Sequence, residues 1–243
     1  QASCCGERER VTLKAMVLAA GKGERMRPLT LNTPKPLLQA GGKTLINYHL
    51  ENLSANGITD IVINHAWLGE QIELLLGNGK ALGVNIVWSR EGEPLETAGG
   101  IMHALPLLQK NADSASFVCV NSDIWTDYPF KKLPEVDGEE MLAWLVLGDN
   151  PDHHPEGDFM LQDGKVQEPA DNQRQEPAYT FSGIAVYHPA LFDGLEPGKQ
   201  SIVPLLKQAM VKGKVGGERY KGQWFDIGTP ERLDALEELL MER

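Results

Sequence analysis

Residues 18–36 read LAAGKGERMRPLTLNTPKP. They continue an apolar run at 13–20, LKAMVLAA. A short apolar run closed by glycine has the character of a buried parallel strand. Gly21 and Gly23 follow, and without a Cβ they let backbone N–H groups approach phosphate oxygens closely. Arg25 and Arg27 add cationic donors, and Lys35 stands between Pro34 and Pro36, which stiffen its loop. Lys22, Arg25, Arg27 and Lys35 place four cations within 14 residues. Two common phosphate-loop patterns are excluded. GxGxxG requires glycine where Met26 stands, and GxxxxGK[ST], half matched by Gly42-Lys43-Thr44, requires glycine where Leu37 stands.

The rest of the chain gives this cluster its meaning. The 243 residues carry 34 Asp and Glu against 23 Lys and Arg, a net charge of −11. That balance argues against general affinity for nucleic acid or for an anionic membrane. A small anionic ligand would need a local cluster of cations and N–H groups, which residues 18–36 supply. The length is enough to bury a sizeable core without disulfides or metal staples. The three cysteines, Cys4, Cys5 and Cys119, form neither a disulfide framework nor a CxxC pair. No stretch of 18 apolar residues and no hydrophobic leader segment occur, so a cytoplasmic enzyme is expected. Residues 1–12, QASCCGERERVT, are read as a leader or flexible extension, and residues 13–243 as a single domain.

Outward from the loop, strands and helices alternate. Residues 44–55 place Leu45, Ile46, His49, Leu50 and Leu53 at helical spacing, closed by Asn56-Gly57. Residues 60–64 and 84–88 read as strands around a short helix at 68–76. A helix is expected at 99–108, then strands at 117–120 and 141–147. Residues 150–180 are rich in Pro, Asp, Gln and Gly, with strand-like pieces at 159–161 and 165–168. A strand at 180–187 and a helix at 201–211 follow. Thr229 and Pro230 suit the cap and first position of a last helix carrying Leu233, Leu236 and Leu240. Repeated βα units predict an α/β, Rossmann-like fold: a mostly parallel mixed sheet with helices on both faces.

Residues 18–36 resemble the signature of the sugar-1-phosphate nucleotidyltransferases, whose fold is GT-A-like. Glu91 with 94–100 (PLETAGG) is similar to that family's base-contacting segment, and Asn121-Ser122-Asp123 to its first metal motif. Residues 224–230 (WFDIGTP) resemble its second metal motif. Gly157-Asp158-Phe159, Glu168 and 181–184 (FSGI) fall where it meets the sugar phosphate. The resemblance implies in-line attack of a sugar-1-phosphate oxygen on the α-phosphorus of a nucleoside triphosphate, with Mg²⁺ as cofactor. It implies Arg25 and Lys35 as catalytic cations and Asp123 and Asp226 as metal ligands. Nucleotide contacts fall to Ala20, Gly21, Gly23, Glu24, Arg25, Lys35, Glu91, Thr97 and Gly99. Sugar contacts fall to Asn121, Gly157, Glu168, Ser182 and Trp224.

Alone, Asp123 would read as a turn or helix cap, and Trp224 as a structural aromatic as readily as a stacking platform. His153-His154 lacks zinc-ligand spacing and is read as a loop or sugar-side pair. Departures from the family pattern are Ser122 and Glu96 in place of glycines, Ser182 in place of asparagine, and no lysine after Glu168. The family's C-terminal assembly elements are missing after the Pro230 helix, which implies a monomer. Residues 64–69, 92–97, 123–127 and 157–159 are most similar to members that join UTP to N-acetylmuramate 1-phosphate in bacterial cell-wall recycling. Alternatives are guanylyl transfer to mannose 1-phosphate, thymidylyl or uridylyl transfer to glucose 1-phosphate, and a non-catalytic nucleotide-sugar sensor.

Overall fold

The computed structural model describes residues 13–169 and 177–242. The proposed leader at 1–12 lies outside them. In chain order come β1 (Lys14–Leu18), β2 (Gln39–Ala40), β3 (Lys43–Thr44), α1 (Leu45–Ala55), β4 (Asp60–His65), α2 (Gly69–Leu76), β5 (Asn85–Arg90) and α3 (Glu96–Gln109). Then follow β6 (Phe117–Asn121), β7 (Ile124–Thr126), β8 (Ala143–Gly148), β9 (Phe159–Gln162), β10 (Lys165–Gln167) and β11 (Ala178–Tyr187). The chain continues through α4 (Val203–Val211), β12 (Val215–Arg219), β13 (Trp224–Asp226) and α5 (Pro230–Met241).

Nine strands form one sheet in the order β5-β4-β1-β6-β11-β8-β12-β10-β9. The sheet is mixed, and less parallel than its βα pattern predicts: four neighbouring pairs are parallel and four antiparallel. The parallel block is β5-β4-β1-β6. There the chain winds from β1 out to β5, then returns through α3 to the other side of β1. That reversal opens a crevice at the carboxyl ends of β1 and β6, where ligands of such sheets bind.

Helices cover both faces, as the sequence predicts. Successive side chains on a strand point to opposite faces. Ala15 and Val17 of β1 therefore join Ile61 and Ile63 of β4 under Ile46, Leu50 and Leu53 of α1 and Ile72 and Leu76 of α2. Met16, Val62 and Cys119 face the other way, toward Ala98, Ile101 and Ala104 of α3 and Leu206, Ala209 and Met210 of α4. A smaller cluster joins Leu233 and Leu236 of α5 to Met26, Leu45, Trp125 and Ile227, and so packs the last helix behind the glycine loop. No helix among the described residues is long and apolar enough to cross a membrane.

Some local expectations change. The 99–108 helix begins earlier, at Glu96, because the carbonyl of Gln200 accepts from the N–H groups of Ala98 (3.0 Å) and Gly99 (3.2 Å) and completes its first turn. Thr229 occupies the N-cap of α5 but makes no side-chain cap bond; its hydroxyl goes to the Glu231 carboxylate and holds that carboxyl below its usual range. β12 (VGGER) gave no hydrophobic alternation because two of its residues are glycines. A Cβ at Gly216 would meet Trp144 at 2.7 Å, and one at Gly217 would meet the carbonyl of Leu145 at 2.7 Å, so close packing demands glycine where the pattern looks weak. The strand at 180–187 is broken by a bulge between Phe181 and Ile184.

His49 lies in α1 beneath the site, 2 % exposed, with Nε2 at 2.8 Å from the carbonyl of Ile124. Burial lowers its pKa from 6.5 to about 4, against the smaller opposing pulls of that bond and of Asp123. The folded value lies below the unfolded one. The stabilisation is therefore complete above about pH 6.5 and is lost as pH falls toward 4. This shift corresponds to about 3 kcal/mol of acid lability. Denaturant titrations between pH 7 and 4 are expected to show that slope in the wild type and to lose most of it in His49→Gln.

Candidate active site

The carboxyl end of β1 is anchored before the loop begins. The N–H of Ala19 donates to Asn64 Oδ1 at 2.9 Å, and Asn64 Nδ2 donates to Glu91 Oε1 at 2.5 Å. Glu91 Oε2 in turn accepts from the N–H of Leu95 at 3.0 Å. Glu91 thus ties the 91–95 loop to β4 and sits behind the cleft wall. Asn64, 2 % exposed, is a positioning residue; the sequence places it in the 64–69 segment but assigns it no role.

From that anchor the chain enters a cleft of about 860 Å³. Ala20, Gly21, Gly23, Glu24, Arg25 and Lys35 line one wall, Thr97 the facing wall, and Asn121 and Asp123 the floor. Gly23 adopts φ +61°, and a Cβ there would lie 2.9 Å from Thr30 Cγ2 and 3.2 Å from Lys35 Cβ. Its carbonyl accepts from Thr30 Oγ1 (2.7 Å) and from the N–H of Met26 (2.9 Å). Glycine is required at this point by both the left-handed backbone and the close approach. The four cations of the loop are in different states. Lys22 pairs with Glu93 at 3.8 Å, Arg27 with Glu24 at 3.5 Å and Lys35 with Asp123 at 2.8 Å. Arg25 is exposed and has no ion pair among the described residues.

Asp123 follows β6 and Asp226 ends β13. The two short strands β7 and β13 pair antiparallel, with Asp226 opposite Ile124, and the N–H of Ile227 donates to the carbonyl of Asp123 at 2.9 Å. This pairing, absent from the expected elements, carries the two carboxylate segments to one end of the cleft. Each carboxylate is held by a cation: Asp123 by Lys35, and Asp226 by Arg232 from the first turn of α5. His153 also comes within 3.2 Å of Asp226 Oδ2, so this histidine belongs to the second carboxylate. Its neighbour His154 turns to Asp158 at 3.0 Å instead. In the sequence His153 reads as a loop or sugar-side residue and Arg232 has no role, because their contacts are between elements far apart in the chain. Among the described residues no group of three or more His, Cys, Asp or Glu gathers as a metal site. Two carboxylates suit a hard cation that takes its remaining ligands from phosphate and water.

The expected sugar-side residues divide. Asn121 lines the cleft and packs on Gly183, whose Cβ would meet the Asn121 side chain at 2.9 Å. Ser182 is buried, with Oγ donating to the carbonyl of Val146 at 2.7 Å, so its hydroxyl closes the bulge of β11 rather than facing the cleft. Trp224 Nε1 donates to the carbonyl of Ser182 at 2.7 Å. Gly157 (φ +67°) lets the 150–158 loop lie on β11, where Asp158 Oδ2 accepts from the N–H of Phe181 at 2.8 Å. Glu168 is not brought to the cleft: it pairs with Lys207 of α4 at 2.6 Å. Gly99 does not line the cleft either; a Cβ there would strike the carbonyl of Gly198 at 2.1 Å, so its smallness serves the docking of that loop.

Glu96 stands where the family pattern has glycine, and the structure gives it φ +60°. A left-handed conformation costs an L-residue roughly 1–2 kcal/mol. Its side chain lies 3.5 Å from Lys199, and both residues line the rim of the cleft. The strained backbone therefore keeps the glycine-like turn while adding a charged pair at the opening.

The nucleotidyl transferase family model matches residues 14–242. The chain is 47 % identical to an N-acetylmuramate alpha-1-phosphate uridylyltransferase of Neisseria meningitidis, over 93 % of this chain and 98 % of that protein. It is 34 % identical to a mannose-1-phosphate guanyltransferase of Schizosaccharomyces pombe over 90 % of this chain, and spans 62 % of that longer protein. The inositol-1-phosphate CTP transferase from T. maritima has the same fold, with a TM-score of 0.74, 96 % of each chain covered and 21 % identity. The family model covers nearly all of the chain, and the chain belongs to the nucleotidyl transferase family.

Proposed function

We propose that this protein transfers a uridylyl group from UTP to N-acetylmuramate 1-phosphate, giving the UDP-sugar and pyrophosphate. The observation that carries the transfer chemistry is the meeting of Arg25, Lys35 and Asp123 in one cleft, with the strand of Asp226 paired to the segment that follows Asp123. Support for this substrate pair comes from the uridylyltransferase that is 47 % identical along nearly its whole length. The setting that goes with it is the cytoplasm of a bacterium recycling its cell wall.

In this mechanism an anionic oxygen of the sugar phosphate attacks the α-phosphorus in line. The bond to the bridging oxygen of the β-phosphate breaks, and pyrophosphate leaves with that electron pair. No general base is needed, because the nucleophile is already ionised. Positioning and charge neutralisation do the work. Backbone N–H groups around Gly21–Gly23 cradle the phosphates. Arg25, free of any partner among the described residues, meets the charge that grows on the departing pyrophosphate. Lys35 is 8 % exposed and fixed beside Asp123, so it holds the reacting phosphates at the floor. Asp123 and Asp226 would hold Mg²⁺, which neutralises phosphate charge when bound.

Three measurements check this reading. In a panel of nucleoside triphosphates against sugar-1-phosphates, read by pyrophosphate release, UTP with N-acetylmuramate 1-phosphate is expected to turn over best; faster turnover of GTP with mannose 1-phosphate would overturn the substrate assignment. Asp123→Asn and Asp226→Asn should each cost at least about a hundredfold in kcat/KM, with circular dichroism unchanged. Full Mg²⁺-dependent activity in both would remove the two-carboxylate site. Arg25→Ala should lower kcat by about 10²–10³-fold, with little effect on KM for the sugar phosphate.

A further inference from the structure

Arg232 sits in the first turn of α5, after Pro230 and Glu231. A cation there opposes the helix dipole, so helix stability does not explain it. Its contacts do. Nη1 donates to Asp226 Oδ2, to His153 Nε2 at 2.8 Å, and reaches the Asp226 carbonyl at 3.5 Å. Arginine only donates, so His153 Nε2 accepts from it and has no proton left for Asp226. The nearby Oδ2 of Asp226 is therefore neutralised by Arg232, with the histidine as that guanidinium's second acceptor. The turn leaves room for this arrangement. A Cβ at Gly228 would lie 3.0–3.1 Å from the guanidinium, and Gly228 itself lines the cleft. The pair is only partly wet, with side chains 23 % and 27 % exposed.

We infer that Arg232 is the resident counter-ion of Asp226, whose positive charge a divalent cation must compete with, so that the metal loads with the triphosphate rather than ahead of it. This rests on the metal role of Asp226 set out above. A free dication at Asp226 either breaks the Arg232 contact at Oδ2 or takes Oδ1 with the guanidinium still in place, and in both cases it lies beside a positive charge. A cation arriving with a triphosphate brings enough negative charge to offset that repulsion. Arg232 thus lowers affinity for the bare cation and leaves affinity for the cation–nucleotide complex nearly unchanged, a coupling between the two ligands.

The test is Mn²⁺ binding to the whole protein, read by electron paramagnetic resonance, alone and with a non-hydrolysable UTP analogue. Arg232→Met should bind Mn²⁺ alone about three- to fivefold more tightly than wild type, the upper part of the range for a partly exposed ion pair. With the analogue present the two should agree within about twofold, so the coupling shrinks by the same factor. In an Asp226→Asn background the effect of Arg232→Met should vanish, which separates competition at Asp226 from long-range charge. Arg232→Gln serves if the methionine variant does not fold. Equal or weaker Mn²⁺ binding by the Arg232 variants, with binding still dependent on Asp226, overturns the inference and leaves the metal site standing. Mn²⁺ binding indifferent to Asp123→Asn and Asp226→Asn overturns the metal site and the inference with it.

Discussion

The contact on which the site depends is the 2.8 Å ion pair between Lys35 and Asp123. It joins residues 88 apart in sequence, one from the loop after β1 and one from the turn after β6. These strands lie side by side and parallel, so their carboxyl ends meet at the same rim of the sheet. Lys35 is nearly buried, and a buried ammonium without a partner is costly. The pair thus fixes where the glycine loop can lie, and with it the cleft wall from Ala20 to Arg25.

The same electrostatic constraint repeats around the opening. An acidic chain that is to hold polyanions cannot leave carboxylates uncompensated in the cleft. Lys22 stands against Glu93, Lys199 against Glu96, Lys35 against Asp123 and Arg232 against Asp226. Arg25 is the exception, which makes it the cation most available to a ligand. The outer pairs are well exposed and contribute little to stability. Their effect is on what the cleft presents to an entering molecule. Behind them, hydrogen bonding and close packing carry the rigidity: Ala19 to Asn64 to Glu91 on one side, and Asn121 packed on Gly183 on the other.

Much of this was legible in the sequence where the signal is local. The apolar run before Gly21 marked the central strand, and the spacing of Leu45, Ile46, His49, Leu50 and Leu53 marked α1, with five of five buried. Elements failed to announce themselves where packing replaces side chains with glycine, as in β12, or where a strand is three residues long and exists through its partner, as in β7 and β13. Motif residues were legible as positions but not as roles. Gly99, Glu91 and Ser182 belong to recognisable segments, yet each serves the scaffold: a close loop contact, a carboxylate tie and a buried bulge. Glu168 fell in the expected stretch and turned to Lys207 instead.

By itself the sequence marked the glycine loop with its cations and the buried strand that delivers it, because their backbone needs and charges are local, and marked the two carboxylate motifs through the family resemblance. Only the tertiary structure decided which charges neutralise which. The Arg232–His153 contact spans 79 residues, and the meeting of the Asp123 and Asp226 segments depends on the pairing of β7 with β13. Such partners are chosen by sheet order and loop direction, and sheet order is set by burial across the whole chain, which no single stretch of sequence contains.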